Sequence, residues 1–117
     1  MPSDEDAIRQ QLRQRNLEAF RIVCETGSVT RAAERLKLSQ PAVSQLIARI
    51  ERSFGLRLFD RGLGRRLEAT PAARALYLDV CRTLDAMARL EAAAVSLAKT
   101  RPAVKAGYGS DLSFYGD

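Results

Sequence analysis

Hydrogen-bonding side chains cluster between residues 40 and 49. Gln40, Ser44 and Gln45 carry amide and hydroxyl groups, and Arg49 follows with a guanidinium group. In a helix these positions lie on one broad side, opposite an apolar stripe formed by Val43, Leu46, Ile47 and Ile50. Amides and hydroxyls on such a face can bind the base edges in the major groove of a duplex. The pattern therefore favours recognition by hydrogen bonding over bond-making chemistry.

Two short helices joined by a tight turn are predicted to position this face. Ser39 is a suitable N-cap for the second helix, and Pro41 lies in its first turn, where a missing N–H is tolerated. Ser28 is the corresponding N-cap of the first helix, and Lys37-Leu38 form the turn. This arrangement is typical of a helix-turn-helix. An ordinary helical hairpin is the alternative for these two helices taken alone.

A third helix is predicted over residues 16–26, which are strongly apolar and are followed by Gly27. Glycine is the usual residue where the chain turns left-handed at a helix end. Residues 1–15 are polar, with Ile8 and Leu12 as exceptions, and we expect a frayed or partly helical arm there. The expected boundaries are an arm at 1–15, a helical domain at 16–70, a long helix at 71–99 and a tail at 100–117.

Positive charge is concentrated in the middle of the chain. The formal net charge of all 117 residues is +5, whereas residues 28–66 contain nine basic and three acidic residues, a local charge of +6. Such a concentration favours a nucleic-acid partner. The basic residues are Arg31, Arg35, Lys37, Arg49, Arg52, Arg57, Arg61, Arg65 and Arg66.

A small basic hairpin is predicted after the helix-turn-helix. Residues 56–59 alternate apolar and basic side chains as a strand does, residues 61–66 form a glycine-containing turn, and residues 67–70 form the returning strand. A helix-turn-helix followed by such a hairpin, or wing, is a winged helix. Arg61, Arg65 and Arg66 would then reach phosphates or a minor groove. The alternative is a solvated turn.

A long helix is predicted over residues 71–99, with Thr70 as its N-cap and Pro71 at its first position. Apolar residues step along it by three and four, as in a coiled-coil seam. We therefore expect a homodimer. A second apolar stripe includes Tyr77, Cys81 and Leu84. We expect it either to pack on the winged helix of the same chain or to widen the seam. The seam residues are Ala73, Leu76, Val80, Thr83, Met87, Leu90, Ala94 and Leu97.

Several functions are excluded or disfavoured by composition. The chain has no histidine, which removes imidazole metal sites and histidine-based catalysis. Its two cysteines, Cys24 and Cys81, are expected to be reduced core residues, with a disulfide as a remote alternative. No apolar run is long enough to cross a membrane. We predict a cytoplasmic protein that is not an enzyme, with no cofactor, no metal and no small-molecule ligand in this chain.

Residues 16–99 resemble the N-terminal DNA-binding region of LysR-type transcriptional regulators. The matching motifs occur in order along about 84 residues, so the resemblance is more specific than a lone helix-turn-helix. They are Leu17-Glu-Ala-Phe20, Glu25-Thr-Gly-Ser28, Arg31-Ala-Ala-Glu-Arg-Leu36, Ser39-Gln-Pro-Ala-Val-Ser44, Ile50-Glu51, Gly55-Leu-Arg-Leu-Phe59, Asp60-Arg61 and Ala69-Thr-Pro-Ala72.

The resemblance implies a mainly α fold: a winged helix-turn-helix with a two-stranded wing and a long dimerisation helix. It also implies binding to dyad-symmetric sites in double-stranded DNA. By position, the base-reading residues are Gln40, Pro41, Ser44 and Gln45. Backbone and wing contacts fall on Ser28, Thr30, Arg31, Arg49, Arg52, Arg61, Arg65 and Arg66.

This chain departs from the family pattern at three places. Gln45 replaces an arginine common after the serine, which would change a guanine preference towards adenine. Ala73 replaces a common glycine. The effector-binding domain is absent, so we expect either a fragment of a longer protein or a naturally short member. The alternative function is a dimerisation module that pairs with a full-length regulator.

Overall fold

The computed structural model describes residues 3–101 of the chain. Over this range it contains five helices and one two-stranded antiparallel sheet, which confirms the predicted fold class of a winged helix-turn-helix with a long C-terminal helix. The elements are α1 (Asp4–Gln11), α2 (Gln14–Thr26), α3 (Val29–Leu36), α4 (Gln40–Phe54), β1 (Phe59–Arg61), β2 (Leu67–Ala69) and α5 (Pro71–Thr100).

Local capping signals determine where the central helices begin and end. Gly27 has φ +67° and ends α2, and the Ser28 hydroxyl then accepts the Arg31 N–H at 3.0 Å to begin α3. The Ser39 hydroxyl accepts the Ala42 N–H at 3.2 Å in the same way at the start of α4. Between these helices Lys37 adopts φ +58°, which closes the predicted turn. The helix-turn-helix is thus encoded largely by short-range hydrogen bonds.

The hydrophobic core lies between α2, α3 and α4. Ala32 and Ala33 are buried on α3, and their small side chains let the neighbouring helices approach. At the base of the wing Leu58 is fully buried, and the Phe59 ring lies 5.7 Å from that of Phe20 between centroids. The buried core residues are Ala19, Phe20, Ile22, Val23, Ala32, Ala33, Val43, Leu46, Ile47, Ile50, Leu58, Phe59 and Ala73.

The wing differs in detail from the sequence prediction. Strand β1 covers Phe59–Arg61 rather than 56–59, and it pairs with β2 so that Phe59 faces Ala69 and Arg61 faces Leu67. The predicted alternation fails because Leu58 and Phe59 are consecutive and both buried. Residues 56–58 are held by contacts to other elements instead of by a strand partner.

The N-terminal arm is a capped helix, which is more order than predicted. Ser3 and Asp6 form a reciprocal capping box at the start of α1. The helix packs against α4, and Gln11 at its end is buried. The prediction weighed the low apolar content of this segment and overlooked the Ser-x-x-Asp capping signal. Helix α2 accordingly begins at Gln14 rather than at residue 16.

Helix α5 belongs to two compact units, which divide between Ala86 and Met87. In the first unit Ala73 is fully buried in the core, and Leu76, Tyr77 and Val80 pack against that core. Ala73 therefore cannot belong to a dimer seam, and that part of the seam prediction is wrong. The sequence pattern identified an apolar stripe without indicating whether the core of the same chain covers it.

In the second unit, the described residues of α5 after Met87 are all exposed. They include Leu90 and Leu97, each 71% exposed. The rest of the predicted tail, residues 102–117, lies outside the described residues. In residues 3–101, no helix is both long enough and apolar enough to cross a membrane.

Candidate nucleic-acid interface

Helix α4 has the predicted base-reading residues on one side and buried apolar residues on the opposite side. Val43, Leu46, Ile47 and Ile50 are buried on its inner side. Burial of each such side chain contributes about 1.5–3 kcal/mol, so the helix has a well-defined orientation in the domain. The predicted base contacts Gln40, Pro41, Ser44 and Gln45 are all exposed on the outer side.

The polar groups on this outer side are available to an external partner. Within residues 3–101, the side chains of Gln40, Ser44 and Gln45 take part in no hydrogen bond. An amide has two donors and an acceptor, and a hydroxyl has one donor and an acceptor. The face can therefore both donate and accept, which is the requirement for reading base edges.

The start of α3 supplies the next predicted contacts. Thr30 and Arg31 are exposed, whereas Ser28 is half-buried. The Ser28 hydroxyl already accepts the Arg31 N–H, and the Ser28 N–H donates to Thr26 Oγ1 at 3.1 Å. Ser28 is thus mainly a helix cap. Because its hydroxyl oxygen already accepts a hydrogen bond, the hydroxyl could contact a phosphate by donating its proton.

The predicted cationic contacts form an exposed set without acidic partners. No salt bridge among the described residues involves them, and Asp60, which directly precedes Arg61, pairs with Arg57 at 2.6 Å instead. This hydrogen bond raises the pKa of the Arg57 guanidinium. The surrounding positive charge is therefore left uncompensated, which favours a polyanion. The set comprises Arg31, Arg49, Arg52, Arg61, Arg65 and Arg66.

Glu51 joins the end of α4 to the base of the wing. One oxygen of its carboxylate, Oε2, accepts the Leu58 N–H at 2.8 Å and the Phe59 N–H at 3.2 Å. Both bonds are partly buried, and a charged acceptor strengthens them. Helix α4 and the first strand of the wing are consequently held to each other by one side chain.

Gly27 joins the other strand to the α2–α3 junction. Its carbonyl accepts the Leu67 N–H at 2.9 Å. A Cβ at this position would lie 2.7 Å from the Leu67 carbonyl oxygen and 2.8 Å from the Arg66 side chain. Glycine is needed here both for its positive φ and for this close approach. The wing is therefore fixed at β1 by Glu51 and at β2 by Gly27.

Sequence reasoning missed these two positioning roles. Gly27 was assigned to ending α2 and to a family motif, and Glu51 only to a family motif. One signal was available for Glu51, since a carboxylate in the last turn of a helix is unfavourable to the helix dipole unless it has another partner. For Gly27, the sequence indicated only the left-handed conformation. Its contact to Leu67 joins residues 40 positions apart, and no local pattern predicts such a contact.

The cysteines lie on α2 and α5, away from the outer face of α4. Both are free and half-buried, which is less buried than expected. Burial raises the pKa of the Cys24 thiol to about 12, with further contributions from Cys81 and Glu25. The thiol is therefore protonated at neutral pH. Nearby, the Tyr77 hydroxyl donates to Glu25, and this hydrogen bond raises the pKa of Tyr77.

Comparisons with known proteins agree with this geometry. Residues 14–74 match the family described as bacterial regulatory helix-turn-helix protein, lysR family. The chain is 50% identical over 72 residues to an uncharacterized HTH-type transcriptional regulator of Azotobacter vinelandii, covering 62% of this chain and 49% of that protein. It is 38% identical over 89 residues to the regulatory protein NocR of Agrobacterium fabrum, covering 76% of this chain and 29% of that protein.

A solved structure shows the same fold. The BenM_DBD/catB site 1 DNA complex is 27% identical in sequence and has a TM-score of 0.70. The match covers 78% of this chain and 100% of that chain. The chain therefore has the architecture of a DNA-binding winged helix-turn-helix.

Together these findings place the protein in a family. The chain belongs to the LysR family of bacterial regulatory helix-turn-helix proteins, and residues 14–74 form the family's DNA-binding domain. It spans between about a quarter and a half of the length of the curated relatives described above.

Proposed function

We propose that this chain binds double-stranded DNA sequence-specifically, as a homodimer, and forms the DNA-binding part of a cytoplasmic transcriptional regulator. Its role is recognition without a chemical step. The observation that supports this proposal most strongly is the outer side of α4. There Gln40, Ser44 and Gln45 are exposed, while the apolar residues on the opposite side of the helix are buried. The neighbouring arginines form no salt bridge with a described residue.

In this proposal α4 enters the major groove. Gln45 and Gln40 bind base edges through their amides, and Gln45 favours adenine because an amide can bind adenine through two hydrogen bonds. Ser44 contributes a hydroxyl, and Pro41 makes an apolar contact. Arg49 and Arg52 on the same helix neutralise phosphates, as do Ser28, Thr30 and Arg31 at the start of α3.

The wing provides the second contact with the duplex. Arg61, Arg65 and Arg66 are exposed on or beside the turn between β1 and β2. They bind phosphates or the minor groove, which adds affinity with little base information. Each phosphate contact releases counterions, so binding is expected to fall steeply with salt.

The second half of α5 is proposed as the dimer contact. Leu90, Ala94 and Leu97 are exposed at spacings of four and three residues, as in a coiled-coil seam. Thr83 and Met87 continue this stripe towards the helix start. Two copies related by a two-fold axis would present two α4 helices to dyad-symmetric half-sites, about one helical turn or a multiple of it apart.

Fluorescence anisotropy with labelled duplexes tests the proposal. The duplexes are those recovered by this chain from a random library, with a scrambled duplex of equal composition as control. We expect tighter binding to the recovered duplexes and weaker binding to both duplexes at 200 mM than at 50 mM salt. Equal affinity for both duplexes would exclude sequence-specific binding.

Sedimentation of the free chain and of a Leu90→Asp/Leu97→Asp double variant tests the dimer contact. We expect a dimer for the parent and a monomer for the variant. A dimer with no preference between duplexes would instead favour a module that pairs with a full-length regulator.

A further inference from the structure

An apolar side chain lies at the tip of the wing, in the turn Gly62–Arg66. Leu63 is 95% exposed, the highest exposure of any large hydrophobic residue in the part of the chain that the structure describes. The turn is closed by two backbone hydrogen bonds: the Gly62 N–H donates to Arg66 O at 2.7 Å, and the Arg66 N–H donates to Leu63 O at 3.4 Å. The leucine is therefore displayed on a hydrogen-bonded turn.

Neither packing nor backbone conformation within the chain requires leucine at this position. With 95% of its surface exposed, the side chain contributes almost nothing to the core. The left-handed residue of the turn is Gly64, with φ +68°, whereas Leu63 does not have a positive φ. A serine or asparagine would fit the turn as well and would be better hydrated.

The surroundings of Leu63 indicate what kind of surface it meets. Arg61 precedes it, Arg65 and Arg66 follow it, and all three are exposed. None of them forms a salt bridge with a described residue. A partner must therefore accept several cations around one apolar group. The minor groove has this character, since its potential is negative and its walls are the apolar faces of sugars.

We propose that Leu63 is an apolar wedge, which enters the minor groove beside the site read by α4 and partly unstacks one base step. This inference rests on the proposed DNA-binding function and extends it from phosphate contact to shape recognition. The flanking arginines hold the wing tip in the groove while the isobutyl group widens the step. Pyrimidine–purine steps unstack most readily, so the chain would prefer such a step at a position that α4 does not touch.

The probe is a duplex recovered by selection with this chain, carrying the fluorescent base 2-aminopurine at a step under the wing. Unstacking raises the fluorescence of this base. We expect a rise when the parent chain binds and no rise with Leu63→Ala, together with a roughly 3- to 10-fold loss of affinity. Leu63→Phe, which keeps an apolar wedge, should retain the rise.

Leu78→Ala is the matched control, because Leu78 on α5 is 59% exposed and lies outside the wing. It should change neither affinity nor fluorescence. The wedge is ruled out if the parent chain binds without a fluorescence rise, or if Leu63→Ala behaves like the parent chain. Failure of the parent chain to prefer its selected duplex would instead refute the proposed function itself.

Discussion

The two elements proposed to contact DNA are built in different ways. Helix α4 has 15 residues and four buried apolar side chains along its back. The wing has two strands of three residues, and the buried apolar side chains beside them, Leu58 and Phe59, lie at its base. In the proposed function α4 contacts base edges, which carry sequence information, whereas the wing contacts phosphates, which carry none directly. The difference in packing thus accompanies a difference in proposed task.

The two elements are nevertheless coupled. Glu51 belongs to α4, and its carboxylate accepts hydrogen bonds from the backbone where the wing begins. Because the wing itself buries little surface, this carboxylate and the Gly27 carbonyl are important in setting where the wing lies. Variants at Leu58, at Glu51 and at the tip therefore distinguish the base of the wing, its coupling to α4 and its exposed turn.

The largest expected effect is at the base of the wing. Leu58→Ala removes most of a fully buried side chain and leaves a cavity, which should lower the free energy of unfolding by about 2–5 kcal/mol. Leu63→Ala is the same chemical change at the exposed tip and should alter stability by less than about 0.5 kcal/mol. Urea denaturation measures the free energy of unfolding of the two variants. Equal losses of stability in the two would refute the difference between base and tip.

The next-largest effect is expected at Glu51, which joins α4 to the wing. Glu51→Ala leaves two partly buried N–H groups without their acceptor and should lower stability by about 1–3 kcal/mol. Glu51→Gln keeps an amide oxygen as acceptor and should lose less. Glu68→Ala, an exposed carboxylate on β2, is the control. The coupling is contradicted if Glu51→Ala is no less stable than this control in urea.

A smaller effect is expected at the wing arginines. Arg61→Ala should weaken binding to selected and scrambled duplexes alike, because phosphate contacts carry no base information. The slope of log K against log salt should decrease by about 0.9 for one lost contact. Anisotropy titrations between 50 and 200 mM salt give this slope. Selective weakening on one sequence would mean that Arg61 reads bases.

The last effect concerns the pH dependence of stability beside the wing. A cavity lined by Cys24, Arg66, Leu67 and Tyr77 adjoins β2. Burial raises the pKa of Cys24 to about 12, whereas an unfolded thiol ionises near pH 8.5. Between these values the unfolded chain binds fewer protons than the folded chain. Stability from this group is therefore complete below about pH 8 and is lost as the pH rises towards 12.

Urea unfolding at pH 8 and pH 10.5 measures this loss. Cys24→Ala should show a smaller decrease than the parent chain, and the remaining decrease is expected from Tyr77, whose pKa is also raised. An unchanged decrease in Cys24→Ala would contradict the assigned pKa. The four buried residues of α4, Val43, Leu46, Ile47 and Ile50, do not titrate and should not contribute.

The local features of the fold were predictable from the sequence. Ser28, Ser39 and Thr70 were identified as N-caps, and each accepts a backbone N–H at the start of its helix. Gly27 was identified as the end of α2 and has the expected positive φ. These signals involve neighbours within four residues, so the sequence alone contains most of the information. The outer face of α4 follows from the same periodicity.

Features that depend on tertiary contacts were not predictable. The wing strand was placed at 56–59 because alternation cannot show that Leu58 and Phe59 are both held inward by Glu51 and the core. Ala73 was assigned to a dimer seam because a stripe of apolar residues does not reveal what covers it. The roles of the DNA-contacting and dimer residues remain predictions, since they depend on partners outside the chain.

We propose that the outer side of α4 reads bases while the wing anchors the duplex. The most direct test is binding-site selection with the parent chain, Gln45→Ala and Arg61→Ala. Gln45→Ala should lose about 1–3 kcal/mol of discrimination at one position per half-site, whereas Arg61→Ala should keep the parent preferences with lower affinity. Selected sequences from Gln45→Ala that match those of the parent at every position would contradict the claim.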